Sequence, residues 1–508
     1  MNGLISKPRR RAITVCAMLA TIMQTIDTTI ANISLPHMQG TLSATLDQIN
    51  WVLTSYIVAA AIMTPPTGWL AGRFGRKRYF LFSIAGFTIV SMLCGMAQSL
   101  EQMVVFRLLQ GMFGASLVPM SQAILLDVYP REKHGHAMAV WGVGVMVGPI
   151  LGPTVGAYLT EWYNWRWVFY INLPVGLLTI AGLFAALPEK HAREQGDFDW
   201  FGFGALSLSV GAVQLMLDRG QHLDWFSSTE ILIEATLSIL GLYLFIVHSW
   251  TTDRPFLDKR LFRDRNYISS LLFTFLTGIV LLATIALITP FLQNLVGLPI
   301  VTAGMALAPR GIGTMITMFF IGRLLNLVDP RHLLLGGFSL VSLSLWQMTG
   351  FTADVGVTEI ITTGITQGIG LGLIWVPLST IAFATLPGDL RTQGAALVSL
   401  IRNLGSSMGI SFVIYMLGRN TQVVHSELVE HLTPFAGAVR DMSQSSLWNL
   451  STPAGRAALN DEVMRQATTI SYINDFMLLM TVALIAIPLL PLLRRPTRHA
   501  PRPESAAD

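Results

Sequence analysis

The chain has 508 residues, of which 12% are charged and 52% hydrophobic, and its formal net charge is +4. Soluble domains contain roughly a quarter charged residues. This composition therefore excludes a water-soluble enzyme, a disordered chain and a fibrous repeat. The two cysteines, Cys16 and Cys94, lie in apolar runs, which excludes a disulfide scaffold and a cysteine-built metal site. The composition predicts an integral membrane protein.

Apolar runs recur along the whole chain. A helix needs about 20 mostly apolar residues to cross a bilayer. We count about fourteen such runs, at 13–35, 50–71, 79–98, 103–125, 137–159, 167–187, 200–217, 229–249, 267–289, 301–321, 332–350, 358–384, 393–416 and 472–493. The first run is too long for a cleavable signal and lacks a cleavage site, so we expect it to be retained.

The placement of lysine and arginine predicts the orientation. If the N-terminus is cytoplasmic and the spans alternate, most of the 33 basic residues face the cytoplasm. The densest basic segments are 73–78 and 254–265. We therefore expect both termini in the cytoplasm and interpret the positive charge as orientation bias, not as a surface for nucleic acid.

The runs group as six, two and six. This predicts an all-α membrane protein with two six-helix bundles and two inserted transmembrane helices. The expected domains are an N-terminal bundle over 1–187 and a C-terminal bundle over 267–508. A cytoplasmic link, the inserted spans and a basic loop occupy 188–266. We expect an extracytoplasmic loop or helical hairpin at 418–470 and a cytoplasmic tail. Two comparable bundles are expected to enclose a site near the membrane midplane.

Asp27 lies inside the first run, roughly 22 Å from its cytoplasmic end at 1.5 Å per residue. A carboxylate inside a membrane costs about 2.5–3.5 kcal/mol. A carboxyl group buried there favours its protonated form, which suits a proton carrier. The alternative is a structural carboxylate that pairs with a neighbouring helix.

Arg107 lies in the fourth run at a depth close to that of Asp27, with Gln110 one turn further along. A guanidinium group beside Asp27 would favour the ionised carboxylate and could exchange partners during transport. The alternative is an arginine that extends to the membrane surface. Arg310 and Arg402 are further candidates within the second half, although Arg310 follows Pro309 and could cap a break in its helix.

The fifth run carries four glycines at intervals of four, which form one stripe on a helix. Small residues allow a neighbouring helix to approach closely, and prolines permit bending. We expect this stripe to seal the two bundles together and to act as a hinge. A latch of Arg73 and Arg76 with Asp127 at the cytoplasmic face is a second candidate switch. The stripe and its prolines are Gly144, Gly148, Pro149, Gly152, Pro153 and Gly156.

Several chemical motifs are absent from the sequence. It has no GxxxxGK[ST] segment for an ATP-driven pump and no HExxH or comparable metal-ligand cluster. No nucleophile–base pair stands out, so an intramembrane enzyme is the weakest hypothesis. We expect no catalytic residues, no metal and no cofactor, and an ion or substrate gradient as the energy source.

Five segments resemble the major facilitator superfamily and, within it, its fourteen-span drug/proton antiporters. They are DTTIAN at 27–32, GWLAGRFGRK at 68–77, the Arg107/Gln110/Gly111 run, the stripe ending at Gly156, and WRWVFYINLP at 165–174. MLDRG at 216–220 and LDWFSS at 223–228 are similar to EmrB-type multidrug efflux pumps. Gly72 stands where the superfamily usually has an aspartate, and Ala157 replaces a glycine.

The resemblance implies a proton-coupled antiporter that exports amphipathic or hydrophobic compounds across a bacterial inner membrane by alternating access. It also implies a periplasmic adaptor and an outer-membrane channel as partners. Alternative hypotheses are a proton-independent facilitator or importer, and a sensor or scaffold that transports nothing. We expect a cavity with few polar groups, lined by Gln24, Trp51, Tyr56, Gln122, Gln293, Trp375, Arg402 and Asn403.

Overall fold

The computed structural model describes residues 6–189, 197–325, 327–432, 448 and 452–494. Within these ranges the chain forms eighteen α-helices and no strand, which confirms the all-α class. The helices are α1 Lys7–Thr41, α2 Leu46–Ile49, α3 Trp51–Met63, α4 Thr67–Phe74, α5 Arg76–Met96, α6 Leu100–Gly114, α7 Leu117–Val128, α8 His134–Trp162, α9 Trp167–Tyr170, α10 Asn172–Ala186, α11 Trp200–Arg219, α12 Thr229–Thr251, α13 Arg265–Pro290, α14 Ile300–Leu324, α15 Pro330–Met348, α16 Val357–Ala384, α17 Arg391–Glu430 and α18 Pro453–Leu489.

Twelve stretches of the described chain are long and apolar enough to cross a membrane, judged by length and composition. The predicted runs 50–71 and 332–350 also form helices, namely α3 with α4, and α15, but neither is among those twelve. The count of fourteen spans therefore stays a prediction.

Local sequence explains where several helices begin and end. Pro65 and Pro66 follow one residue after the end of α3 and separate it from α4, because proline cannot donate a helical hydrogen bond. Gly75 adopts a φ of 86°, a conformation that favours glycine, and this allows the sharp turn from α4 into α5. Asp199 and Asp264 cap α11 and α13 by accepting hydrogen bonds from backbone N–H groups.

The helices pack in two groups. In the N-terminal group, α1 lies against α8 and α10, and α6 lies against α3 and α5. In the C-terminal group, α14 packs on α16, α13 on α17, and α15 on α16 and α18. Pro309 lies inside the continuous helix α14, so Arg310 does not cap a helix break, which was one of its two alternative roles.

The two groups meet at the end of the helices that carries segments 73–78 and 254–265, which we call the basic end. There α8 contacts α14, and both α4 and α7 contact α17. The contacts are close: a Cβ atom added to Gly68 would lie 2.8 Å from the Cα of Gln393. A hydrophobic cluster that includes Trp141, Met318 and Trp375 joins the groups further along.

The inserted helices α11 and α12 pack on each other, and α11 also touches both groups. The Thr54 hydroxyl of α3 donates a hydrogen bond to Asp218 of α11. On its other side, Gln214 Nε2 donates to the Ser407 hydroxyl of α17 over 2.9 Å. Helix α11 therefore stands between α3 and α17.

Two connecting regions differ from simple loops. Segment 254–265 consists mainly of turns and a short 3-10 helix at Leu261–Arg263. The predicted loop 418–470 is largely helical where it is described, since α17 continues to Glu430 and α18 begins at Pro453. The His425 ring contacts the Asn460 side chain over 3.1 Å, as in a helical hairpin. Residues 433–447 and 449–451 lie outside the described residues.

Candidate functional site

Asp27 is fully buried on α1 and both of its carboxylate oxygens accept hydrogen bonds. Arg107 of α6 donates from NH1 to Oδ2 over 2.7 Å. Gln110, one turn along α6, donates from Nε2 to Oδ1 over 2.8 Å. Asn172, the first residue of α10, donates to the same Oδ1 over 3.0 Å. We call these four residues the Asp27 cluster.

Arg107 is held from several sides. Its Nε donates to the carbonyl oxygen of Val52 over 3.0 Å, and its NH1 also donates to Gln110 Oε1 over 2.8 Å. The guanidinium carbon lies 4.2 Å from the centre of the Tyr56 ring and 5.7 Å from that of Phe169. These contacts combine charge-assisted hydrogen bonds with cation–π attraction, which fixes the cation beside Asp27.

Three donors, from Arg107, Gln110 and Asn172, converge on the buried Asp27 carboxyl group. The buried arginine compensates the charge, because isolated buried charges are avoided unless they are paired.

The glycine stripe of α8 packs against α1, next to Asp27. A Cβ atom on Gly148 would lie 2.5 Å from the carbonyl carbon of Thr25, and one on Gly152 would overlap the Thr29 hydroxyl. Thr29 donates a hydrogen bond to the Gly148 carbonyl oxygen over 3.1 Å. The expectation that the stripe seals the two bundles together is therefore wrong for this structure, since the stripe faces a helix of its own group.

A different face of α8 meets the C-terminal group. A Cβ atom on Gly142 would lie 2.9 Å from the Met318 sulfur, and one on Gly311 of α14 would overlap Ile150. Gly144 and Gly156 also face α1, and Pro149 lies within the continuous helix. The side chain of Pro153 lies outside the described part of the chain.

Asp127 connects the two groups at the basic end. It forms ion pairs with Arg76, at the start of α5, and with Arg391, at the start of α17, the latter over 3.3 Å. Arg391 also donates to the Leu126 carbonyl oxygen over 2.9 Å, and Arg76 donates to the Gly388 carbonyl oxygen over 3.2 Å. We call Arg76, Asp127 and Arg391 the basic-end network.

The basic-end network therefore differs from the predicted latch in one residue. Arg76 pairs with Asp127 as expected, whereas Arg73 is exposed and Arg391 was not predicted. Nearby, Arg260 pairs with both Asp258 and Asp389. Burial would raise the pKa of Asp258, but the hydrogen bonds from Arg260 lower it by more, so its pKa lies below the ordinary value.

Three predicted cavity residues pack against protein. Tyr56 lies beneath Arg107 in the Asp27 cluster and is 2% exposed. Gln122 is fully buried in α7. Trp51 is half-buried, with the guanidinium of Arg219 5.1 Å from its ring. In this conformation Tyr56 and Gln122 face neighbouring helices and do not line an open cavity, whereas the assignment of the half-buried Trp51 stays a prediction.

The other predicted cavity residues lie on both groups. Gln24, Gln293, Arg402 and Asn403 are half-buried, and Gln293 belongs to the π-helical turn Phe291–Leu295 after α13. Trp375 is 7% exposed, and the Arg402 guanidinium lies 5.5 Å from its ring centre.

Among the described residues, no group of three or more His, Cys, Asp or Glu side chains could hold a metal ion.

The chain has relatives of known family. The Major Facilitator Superfamily matches residues 17–410. The multidrug export protein EmrB of Haemophilus influenzae is 35% identical over 425 residues, covering 83% of each chain. The fatty acid resistance protein FarB of Neisseria gonorrhoeae is 33% identical, covering 94% of this chain and 95% of FarB. The proton:xylose symporter XylE has a similar fold, with a TM-score of 0.61 at 13% identity, covering 96% of this chain and 99% of XylE.

The chain therefore belongs to the Major Facilitator Superfamily and is a multi-pass membrane transporter, not an enzyme. Within the superfamily it groups with the EmrB-type multidrug export proteins, which makes it an efflux transporter.

Proposed function

We propose that this protein exports amphipathic or hydrophobic compounds across a bacterial inner membrane in exchange for protons. The Asp27 cluster carries this proposal, because it places a titratable carboxylate and a buried cation in direct contact. The names of two relatives support this proposal, since EmrB is a multidrug export protein and FarB is a fatty acid resistance protein.

The proposed coupling of proton binding to conformation follows from the charges of Asp27 and Arg107. A proton on Asp27 would remove the negative charge that compensates Arg107, and an unpaired buried cation is strongly unfavourable. The contacts of α1 with α6 and α10 would then have to change. Proton binding would in this way favour one conformation, and substrate binding the opposite one.

We propose that both termini and the basic end face the cytoplasm, as the distribution of basic residues favours. The basic end is closed in this structure, since Asp127 and Gln393 connect the groups there. The structure would then represent a state closed toward the cytoplasm. Residues 1–187 and 267–508 would be the two bundles that move relative to each other.

An adaptor and an outer-membrane channel are a further part of the proposal. Helix α17 has 40 residues, or about 60 Å at 1.5 Å per residue, and a membrane core is about 30 Å thick. In the proposed orientation, its end near Glu430 and the start of α18 would project from the outer surface. This projection would be available to a periplasmic adaptor.

The test is transport in proteoliposomes with an imposed pH gradient and an amphipathic fluorescent dye. Wild-type protein should accumulate the dye against its gradient, and proton flux should accompany dye movement. Asp27→Asn should abolish accumulation and still permit downhill movement of the dye.

The matched control is Asp475→Asn, which removes a buried carboxyl group from α18 in the other group. It should keep proton-driven accumulation. Accumulation by Asp27→Asn at the wild-type rate would contradict the proposal. Dye movement that ignores the pH gradient in the wild type would indicate a facilitator, and an absence of flux would indicate a sensor or scaffold.

A further inference from the structure

Three arginines lie within helices of the membrane region, and their partners differ. Arg107 is paired with a carboxylate. Arg310 is buried and donates from NH2 to the Leu281 carbonyl oxygen over 3.1 Å. Arg402 has neither an acidic partner nor a hydrogen-bond acceptor among the residues that the structure describes, and its guanidinium lies over Trp375.

Arg402 and Trp375 lie beside the contact between the two groups of helices. Trp375 belongs to the hydrophobic cluster that joins the groups, and Val398, one turn before Arg402 on α17, belongs to it as well. Ile401 packs against the same cluster. Arg402 itself is half-buried. The cation therefore lies next to the apolar seam in a residue that is only partly buried.

Both members of this pair offer hydrogen-bond donors. The Trp375 Nε1–H is buried and has no acceptor within the described ranges. The guanidinium group presents several N–H donors in a plane that matches a carboxylate. A cation–π contact compensates a guanidinium only partly, because it supplies no counter-charge. An uncompensated cation in an apolar region favours binding of an anion.

We propose that Arg402 and Trp375 form a subsite for the negatively charged head of amphipathic anions, such as carboxylates with an aryl or alkyl tail. Arg402 holds the carboxylate, and the partly exposed apolar side chain of Ile401 beside it contacts the tail. The proposal rests on the proposed export function and specifies its substrate class. It also separates the roles of the two groups, since the titratable pair lies in the N-terminal group and the anion subsite in the C-terminal group.

The test is calorimetric titration of the full-length protein in lipid nanodiscs with three probes of nearly equal shape. These are 4-butylbenzoate, the neutral 4-butylbenzamide, and the cation 4-butylbenzyl-trimethylammonium. Wild-type protein should bind the benzoate most tightly. Arg402→Gln should weaken benzoate binding about tenfold, as expected for loss of a hydrogen bond to a charged group, and leave the amide unchanged.

Arg402→Lys is the matched variant, because it keeps the charge and loses the planar donor pair. It should retain part of the preference for benzoate over amide. Equal affinity of wild-type protein for the benzoate and the amide would overturn the proposal, even if Arg402→Gln failed to fold. An equal loss of affinity for all three probes in a folded Arg402→Gln protein would also overturn the proposal.

Asp27→Asn distinguishes this proposal from proton coupling. This variant should bind the benzoate as tightly as wild type, since the subsite lies outside the Asp27 cluster. If benzoate binding depends on Arg402 while transport ignores the pH gradient, the subsite is supported and the antiport proposal fails. If transport is proton-driven and the benzoate binds the wild type and Arg402→Gln with equal affinity, the subsite proposal fails and the antiport proposal stands.

Discussion

The Asp27 cluster and the basic-end network both join aspartate to arginine, but they connect different parts of the molecule. The cluster lies within the N-terminal group and is sealed from solvent: the Asp27 side chain is 0% exposed and that of Arg107 is 1% exposed. The network joins the N-terminal group to α17, and its Arg76 and Asp127 side chains are 20% and 13% exposed.

This difference indicates two tasks for one kind of ion pair. In the proposed mechanism, protonation of Asp27 would act within the N-terminal group of helices. The network would have to break when the basic end opens, because Arg391 and Asp127 belong to different groups. A buried pair is costly to disrupt, whereas a partly exposed pair is weak enough to form and break repeatedly.

The largest expected effect is that of Arg107→Ala. Removal of the cation leaves Asp27 buried without its charged partner, which should destabilise the fold by about 3–5 kcal/mol. Chemical unfolding of the purified protein in detergent would measure the loss. The double variant Asp27→Asn/Arg107→Ala should recover part of it, and a loss below about 1 kcal/mol would show that the cluster is not a tightly coupled pair.

Gly148→Ala tests whether the α1–α8 seam lies within one group. The added Cβ would lie 2.5 Å from backbone of α1, so the helices must separate, at a cost of about 1–3 kcal/mol. Gly204→Ala in α11 is the control, since nothing lies within 4 Å of its added Cβ. The thermal unfolding temperature should fall for Gly148→Ala and stay unchanged for Gly204→Ala. Equal unfolding temperatures would argue against the tight seam.

Asn172→Ala removes one donor to Asp27 and leaves Arg107 in place. Because this hydrogen bond helps to hold the carboxyl group in the cluster, its loss should lower the rate of proton-driven dye accumulation about tenfold. Ser91→Ala, which removes the hydroxyl that accepts from Asn172 over 2.9 Å, should lower that rate less. An unchanged rate for Asn172→Ala would assign this residue a structural role alone.

Asp127→Asn should have the smallest effect on stability and a clear effect on conformation. Weakening the partly exposed ion pairs should cost about 1 kcal/mol, which changes the ratio of closed to open basic ends about fivefold. Pulsed EPR between spin labels at Phe74→Cys and Leu327→Cys, both exposed positions at the basic end, would measure the distance distribution. Arg78→Ala breaks an exposed pair with Glu189 and should leave that distribution unchanged.

Sequence reasoning found three of the four members of the Asp27 cluster, namely Asp27, Arg107 and Gln110, and missed Asn172. Asp27, Arg107 and Arg402 were predictable because a charge inside an apolar run is costly and therefore conspicuous. Asn172 and Ser91 carry no such signal, although Asn172 lies in the segment 165–174 that resembles the family. Their contacts depend on how α5 and α10 pack, which spacing along one helix cannot specify.

The glycine stripe shows the same limit. Its interval of four residues predicted a close helix contact, and α1 does approach closely. Spacing defines a face of a helix but does not identify the neighbour that the face meets. Arg391 was missed for a related reason: it begins a helix far along the chain, and only the tertiary fold brings it to Asp127.

The position of α11 has a consequence for the surrounding lipid. Helix α11 is hydrogen-bonded to Thr54 and Ser407 and fills the lateral gap between α3 and α17. Helix α12 packs on the outer side of α11 and exposes many apolar side chains. Acyl chains of the lipid are thereby kept from entering between α3 and α17 on this flank. A hydrophobic compound that partitions into the bilayer would have to approach the protein interior from another flank or from water.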